Sequence, residues 1–531
     1  MNAKVALAVV LALVSCVAAT DDARGAGVLR LAQSSTDLGT MDPHFATTTP
    51  DRSLVDMVFN GLLRYKPGDG SVFEPDLATS LPTARLVGGK QVWTFQLRKG
   101  VMCHPTEPVP SYELTSEDVV YSLQKSADKP RSAYAADYTG MTVEASDAST
   151  VRITLDKPLS PALFFPKVAN YSGGFIVCKR AAEKLGADGL KTRTAGTGPF
   201  MVKGYSPQEK VTLVANPAYF RGKPQLDGVE LRYVPDLSSR ELGLRNAQLE
   251  VINGSPDSAW VDRMRGVSGV KVDVFGVGEV VVLHIRMTAP PLDKLEVRRA
   301  IAHALDRSEF QALIGPGIAE IVYSPVPVKF LPGGLTQKDL APRSLDYPTD
   351  LSKAKKLLAD AGYPNGFPLE VVTSEFTGYR VIYESMQAQL AKVGIKVNVK
   401  QVDHATMHSL IRKDANPLVV YVAWRPNADV ILTQFFHSDA IVVTGPKPNT
   451  NFSHYNKIDA LIEQARGETD PAKQTALWKD AQLKILEDMA AYPIQYQNQV
   501  YARSTAVDYG HELVSVLALY PGITEKTRLL K

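Results

Sequence analysis

In His404-Ala405-Thr406-Met407-His408 two imidazoles stand at i, i+4, the spacing that lets one helix face present both to a metal ion. Metal-assisted hydrolysis on that pattern also needs a glutamate directly after the first histidine, and Ala405 stands there. The pair therefore reads first as two polar residues on a solvated helix face. Phosphate-cradling loops fail in the same way. Gly276-Val277-Gly278 is followed by Val281 where a third dinucleotide-binding glycine belongs, Gly315-Pro316-Gly317 by Glu320, and Gly88-Gly89-Lys90 by Gln91 instead of Ser or Thr. No G-x-S-x-G elbow offers an acyl-transfer serine. No catalytic residue, metal set or cofactor is assigned, and the chemistry left to the chain is recognition.

Groups suited to recognition gather in two loops. Trp424, Arg425, Asn427 and Asp429 follow a continuously apolar run over 418–423, and Thr373, Glu375 and Tyr379 follow a short strand-like run over 369–372. A tryptophan at a strand end can present a flat face to a ligand, whereas Asn427 and Asp429 also serve as turn caps. His44, in an early loop, is a further candidate, as a ligand contact or a structural hydrogen bond.

The elements that must hold those loops read as β-α-β-α-β over residues 369–424. Ile382, Met386, Leu390 and Val393 lie at helical spacing and stop at Gly394; Ile395, Val397 and Val399 alternate as a strand; Asp403 caps a helix reaching about Arg412. Such alternation implies a parallel sheet covered on both faces, with ligands at the carboxyl ends of its strands. Upstream, Asp350 caps a helix ended by Gly362-Tyr363-Pro364, and Thr115-Ser116-Glu117-Asp118 opens a helix to Ala127. Before about residue 195 short strands dominate.

With 531 residues, 45% hydrophobic and 22% charged, the chain can bury a large core and lies outside the disordered regime. A net charge of +3 with both signs interspersed provides no basic footprint for nucleic acid. Residues 1–19, with Lys4 before an apolar run, read as a secretory signal, which places the chain in the periplasm. Two processing routes compete: cleavage after Val17-Ala18-Ala19, or a lipobox at Leu13-Val14-Ser15-Cys16 that makes Cys16 a lipid-carrying N-terminus. After export Cys103 and Cys178 are either a disulfide or two buried thiols.

Several segments in order resemble one family. They include Thr40-Met41-Asp42-Pro43-His44, Phe59-Asn60-Gly61-Leu62-Leu63, Trp93-Thr94-Phe95-Gln96-Leu97-Arg98-Lys99-Gly100-Val101, Gly196-Thr197-Gly198-Pro199-Phe200, Asn216-Pro217-Ala218-Tyr219-Phe220 and Ala361-Gly362-Tyr363-Pro364-Asn365-Gly366-Phe367. The chain resembles the family 5 extracellular solute-binding proteins, the peptide- and nickel-type receptors of ATP-binding-cassette importers. That resemblance implies a two-lobed α/β fold of the type II periplasmic-binding class. Lobe I would comprise 27–60, 196–279 and 504–531, with an inserted subdomain over 61–195, and lobe II would comprise 280–503. It further implies a monomer that closes on a small polar solute and delivers it to an inner-membrane permease.

Dipeptide-binding members pair the ligand's ammonium with an aspartate, and Asn427 stands at that position here, with Asp429 nearby. The arginine that holds the carboxylate in those members falls near Thr373, which is uncharged. Longer peptides, opine-like conjugates and small sugars fit the less charged pocket this implies. A secreted hydrolase of peptides or glycans on the same architecture is the rival reading, and a nickel or metallophore receptor using His404 a third.

Overall fold

The computed structural model describes residues 27–530; the signal segment and Cys16 lie outside the described residues. Its backbone is a mixed nine-stranded sheet running Phe200–Ser206, Lys210–Ala215, Gly228–Tyr233, Val28–Gln33, Val251–Asn253, Ala491–Ser504, Val270–Ile285 and Leu418–Ala423, with Ala319–Ile321 also on Ala491–Ser504. Val28–Gln33 runs parallel to both neighbours, Gly228–Tyr233 and Val251–Asn253. Everything from Ala491–Ser504 onward is antiparallel.

Two long strands, Val270–Ile285 and Ala491–Ser504, carry the sheet from one body to the other. Val251 and Val270 pair with Arg503 and Ser504 at one end, while at the other Val280 to Ile285 pair with Ala423 to Leu418. Between these ends the register shifts, once between Phe275 and Glu279 and again between Val281 and Val282. A shifted ladder has fewer fixed hydrogen bonds and bends where a regular one resists. The cores divide at the same place: Phe275 and Tyr501 pack with Leu29, Leu31 and Val251, whereas Val281, Leu283 and Ile494 pack with Leu369, Val397 and Leu418. The result is the two-lobed type II binding-protein fold.

A separate four-stranded antiparallel sheet, Arg85–Val87, Lys90–Gln96, Thr150–Leu155 and Met141–Asp147, packs under the helix Ser116–Ala127. That helix begins at the expected Thr115, whose backbone N–H donates to the Asp118 carboxylate at 2.8 Å. Trp93 stacks on Phe164 at 4.4 Å beneath the sheet, and a disulfide joins Cys103 to Cys178.

The 369–424 stretch holds the expected order, Pro368–Ser374, Thr377–Ala391, Lys396–Val402, His404–Ile411 and Leu418–Ala423, but not one continuous parallel sheet. Only the first two strands pair in parallel; Leu418–Ala423 joins Val270–Ile285 antiparallel. The reason is Asn416, whose buried amide accepts from Val372 N–H at 2.8 Å and donates to its carbonyl at 2.9 Å. A side chain thus satisfies the edge that a third parallel strand would have covered.

His284 is a local fault in the apolar cluster on the opposite face of its strand in the second lobe. It is fully buried among Phe435, Phe436 and Phe452, neither ring nitrogen has a partner among the described residues, and burial pushes its pKa down to about 3. The unfolded chain takes up that proton below its ordinary pKa near 6.5 while the native state does not, so stability falls as pH drops from there toward 3. His284→Phe removes two orphaned polar atoms at nearly constant shape. It is expected to raise stability by about 1–3 kcal/mol at pH 7, and by more at pH 5, in urea unfolding.

Candidate ligand-binding cleft

Between the lobes lies a cavity of about 760 Å³, within the range of small-molecule sites. The shifted stretch of the two long strands forms its floor. Glu279 and Gln497, paired in register across those strands, both line it. One wall comes from the first lobe and its four-stranded attachment, with Arg52, Tyr134, Lys167 and Tyr171; the other comes from Tyr379, His404, His408, Tyr421, Trp424 and Arg425.

Trp424 is placed by the strand before it. Leu418–Ala423 is held on Val270–Ile285, so the residue that leaves the sheet emerges at the cavity. Its ring meets Tyr171 of the opposite wall edge-on at 5.3 Å, and its indole Nε1 is buried without an acceptor among the described residues. Arg425 follows, donating from Nη1 to the Trp424 carbonyl at 2.8 Å and from Nε to Gln434, with its guanidinium 5.2 Å over Phe435. Asn427 caps the next helix, Ala428–Phe436, accepting from Val430 N–H at 2.9 Å, and borders the cavity from that position. Tyr379 lines the wall with its hydroxyl on the Val422 carbonyl at 3.3 Å.

Four sequence candidates lie elsewhere. His44 is fully buried in the first lobe, with its Nε2 on the Phe175 carbonyl at 2.9 Å and its Nδ1 3.3 Å from the Lys125 ammonium; burial and that charge push its pKa down to about 3. It is a structural histidine. Thr373 is 1% exposed inside its strand and is not part of the cavity wall. Glu375 is an exposed loop residue beside Ser374, also outside the wall. Asp429 turns from the cleft into an adjoining chamber of about 610 Å³, where Arg466 holds one carboxylate oxygen at 3.3 Å and the other has no partner among the described residues.

The pocket holds more charge than Asn427 and Thr373 imply. Sequence reasoning missed Arg52, Lys167, Tyr171, Glu279 and Gln497, of which Arg52, Lys167 and Glu279 bring groups of both signs. Burial holds the Glu279 carboxyl above its ordinary range, and Gln497 Nε2 is a buried donor without an acceptor among the described residues. One signal was available for these two: a lone carboxylate before the apolar run 280–283, and glutamines at 495, 497 and 499 alternating along one strand face.

His404 and His408 do meet, Nε2 to Nε2 at 3.2 Å, with Ser374 on His404 Nδ1 at 3.0 Å and Arg412 on His408 Nδ1 at 3.1 Å. Burial, the neighbouring imidazole and Arg412 push His408 down to about 4. Among the described residues no group of three or more His, Cys, Asp or Glu converges on a point. The Ser374 hydroxyl and the Arg412 guanidinium engage the pair's two Nδ1 atoms.

A hinged sheet with a polar, aromatic-walled cavity between two bodies defines a solute-binding protein. Residues 72–441 match the family model for bacterial extracellular solute-binding proteins, family 5 Middle, and the chain belongs to that family. It is similar to the binding protein MoaA of A. tumefaciens, solved with mannopinic acid, at 38% identity over 95% of this chain and 100% of that one, with a TM-score of 0.78. It is also similar to DppA of Helicobacter pylori, solved with the peptide STSA, at 26% identity over 95% and 98% with a TM-score of 0.75. The dipeptide-binding protein of Escherichia coli is 28% identical over 83% of this chain and 84% of that one. Members of this family work outside the cytoplasm, and among the described residues no helix is long and apolar enough to cross a membrane.

Proposed function

We propose that the protein captures a small polar organic solute, opine-like or peptide-like, between its lobes and delivers the closed form to the permease of an ATP-binding-cassette importer. It works in the periplasm as a monomer, freed by signal cleavage or tethered through Cys16. One observation carries this reading: a cavity of about 760 Å³ on the floor of the shifted strands, with aromatic faces and charges of both signs drawn from both lobes. Contacts to both walls exist together only when the lobes are closed, so binding energy goes into a population shift instead of bond breaking. The relatives solved with mannopinic acid and with STSA support the ligand classes.

The test is a melting-curve screen with mannopinic acid, STSA, other peptides and oligosaccharides, followed by small-angle scattering. A ligand at 100 times its dissociation constant is expected to stabilise the protein by about 2.7 kcal/mol and to compact it. Binding without compaction, or hydrolysis of the bound compound, overturns the reading. Trp424→Ala is expected to weaken binding about thirtyfold, the weight of a central aromatic anchor, in calorimetry with whichever acid or peptide the screen returns.

A further inference from the structure

Glu279 is a carboxylate without a counter-ion on the floor of the cleft. From Val274 to Ile285 its strand carries no other Asp or Glu and no Lys or Arg, so nothing along that ladder calls for a charge there. The register shift between Phe275 and Glu279 places it. A shifted ladder re-aims the side chains beside it, and this one leaves Glu279 opposite Gln497 with both residues on the cavity. Glu279 is half-buried, and the space it borders is that cavity.

The other carboxylates around the cleft are paired or in water. Glu320, across the strand Ala491–Ser504, is held by Lys329 at 2.6 Å, Asp429 is held by Arg466 at 3.3 Å, and Asp137 at the cavity's edge is exposed. Asn427, standing where dipeptide-binding members place an aspartate, is neutral, and its side-chain oxygen caps Ala428–Phe436. Glu279 differs from all of these: among the described residues only the Gln499 side chain acts against the rise that burial causes, and no positive charge does. A carboxylate held from water without a cation is destabilising, and a cation entering the cavity removes that cost. The rings of Tyr379, Tyr421 and Trp424 line the same cavity, and ring faces attract a cation as well. Tyr379 lies close enough for the Glu279 charge to help raise its phenol.

We propose that Glu279 is the counter-ion for a protonated amine of the solute, which sits on the cleft floor against this carboxylate and the aromatic wall. This rests on the solute-capture reading and narrows it to compounds with a cationic nitrogen. Opines are secondary amines, protonated at neutral pH, and peptides carry a terminal ammonium, so both ligand classes offer the same group. Neutral sugars and simple carboxylic acids do not. The ammonium anchor that Asn427 cannot supply thus comes from the sheet between the lobes, about 150 residues earlier in the chain.

The experiment compares the mature chain with Glu279→Gln by calorimetry on mannopinic acid, on STSA, and on desamino-STSA, which lacks only the ammonium. The variant is expected to bind whichever of the first two the parent binds about thirtyfold more weakly, the effect of removing one partner of a buried charged contact. Desamino-STSA should bind the parent as weakly as STSA binds the variant, and should lose nothing further from the substitution. Without ligand, Glu279→Gln should melt no lower than the parent, because it removes an unpaired charge. A lower-melting variant marks a structural carboxylate and overturns the counter-ion. So do affinities within about threefold of the parent, or a substitution that weakens desamino-STSA as much as STSA. A parent that binds neither mannopinic acid nor STSA sinks the proposed ligand classes instead. Butylammonium then decides the counter-ion alone: a rise in melting temperature that the parent shows and Glu279→Gln lacks supports it, and equal or absent rises overturn it.

Discussion

Replacing Cys103 and Cys178 together by alanine is expected to lower the unfolding free energy by about 4 kcal/mol, read as a fall in the urea midpoint. The bond spans 75 residues, and closing a loop of that size removes about 4 kcal/mol of chain entropy from the unfolded state. Neither sulfur has an easy substitute, since Cys103 is 1% and Cys178 0% exposed. The bond joins the turn at Cys103, whose N–H donates to the Tyr112 carbonyl at 2.8 Å, to the start of the helix Lys179–Leu190. It thereby ties the chain before the helix Ser116–Ala127 to the chain after the four-stranded sheet. Reductant added to the parent protein in mild urea should reproduce the shift. A double variant that unfolds at the parental midpoint would mean that the loop is already closed by other contacts in the unfolded ensemble.

What the sequence disclosed divides along one physical line. Helix starts are local: Thr115 with Asp118, Asp350 with the Lys353 N–H and Asp403 with the Thr406 N–H each satisfy bare amides within three residues, so they can be read from the chain itself. Strand existence is nearly as local, and the alternating run from Pro368 to Ala423 has the expected order. Strand partnership is not. Nothing within residues 418–423 indicates that the strand will pair with Val270–Ile285, because one amide, Asn416, has taken the place beside Val372.

The cleft obeys the same division. Trp424 and Tyr379 were visible because each follows an apolar strand in its own neighbourhood. Arg52 and Tyr171 were not, since their place at the cavity depends on the lobes meeting across more than 200 residues of chain. Misplaced candidates fail for the converse reason. Asp429 is turned away by Arg466, and His44 is claimed by Lys125, 81 residues on. In each case a charged partner distant in sequence overrides what the short segment offers.

That partner of His44 leads to the second large effect. Lys125 is 3% exposed, and its ammonium donates to both Asp42 oxygens at 2.8 Å, to the Arg131 carbonyl at 3.0 Å and toward His44 Nδ1 at 3.3 Å. Asp42→Asn keeps an oxygen for the His44 N–H, which the carboxylate now accepts at 3.0 Å, but strips the charge from the ammonium. The expected cost is about 3–5 kcal/mol at pH 7, that of a buried cation left without its counter-ion. Lys125→Met alone should cost as much by stranding the carboxylate, whereas the two changes together cost far less than their sum, because no charge is left unpaired. The pH dependence gives an independent signature. Burial already lowers the Lys125 pKa against the pull of Asp42, and without Asp42 it falls further. Above that lowered pKa the native state has shed its proton while the unfolded chain still holds one, so the deficit of Asp42→Asn shrinks as pH rises from 7 toward 10. A deficit that stays constant over that range would show that the loop around Asp42 is held by its backbone bonds, and that the buried ion pair contributes little.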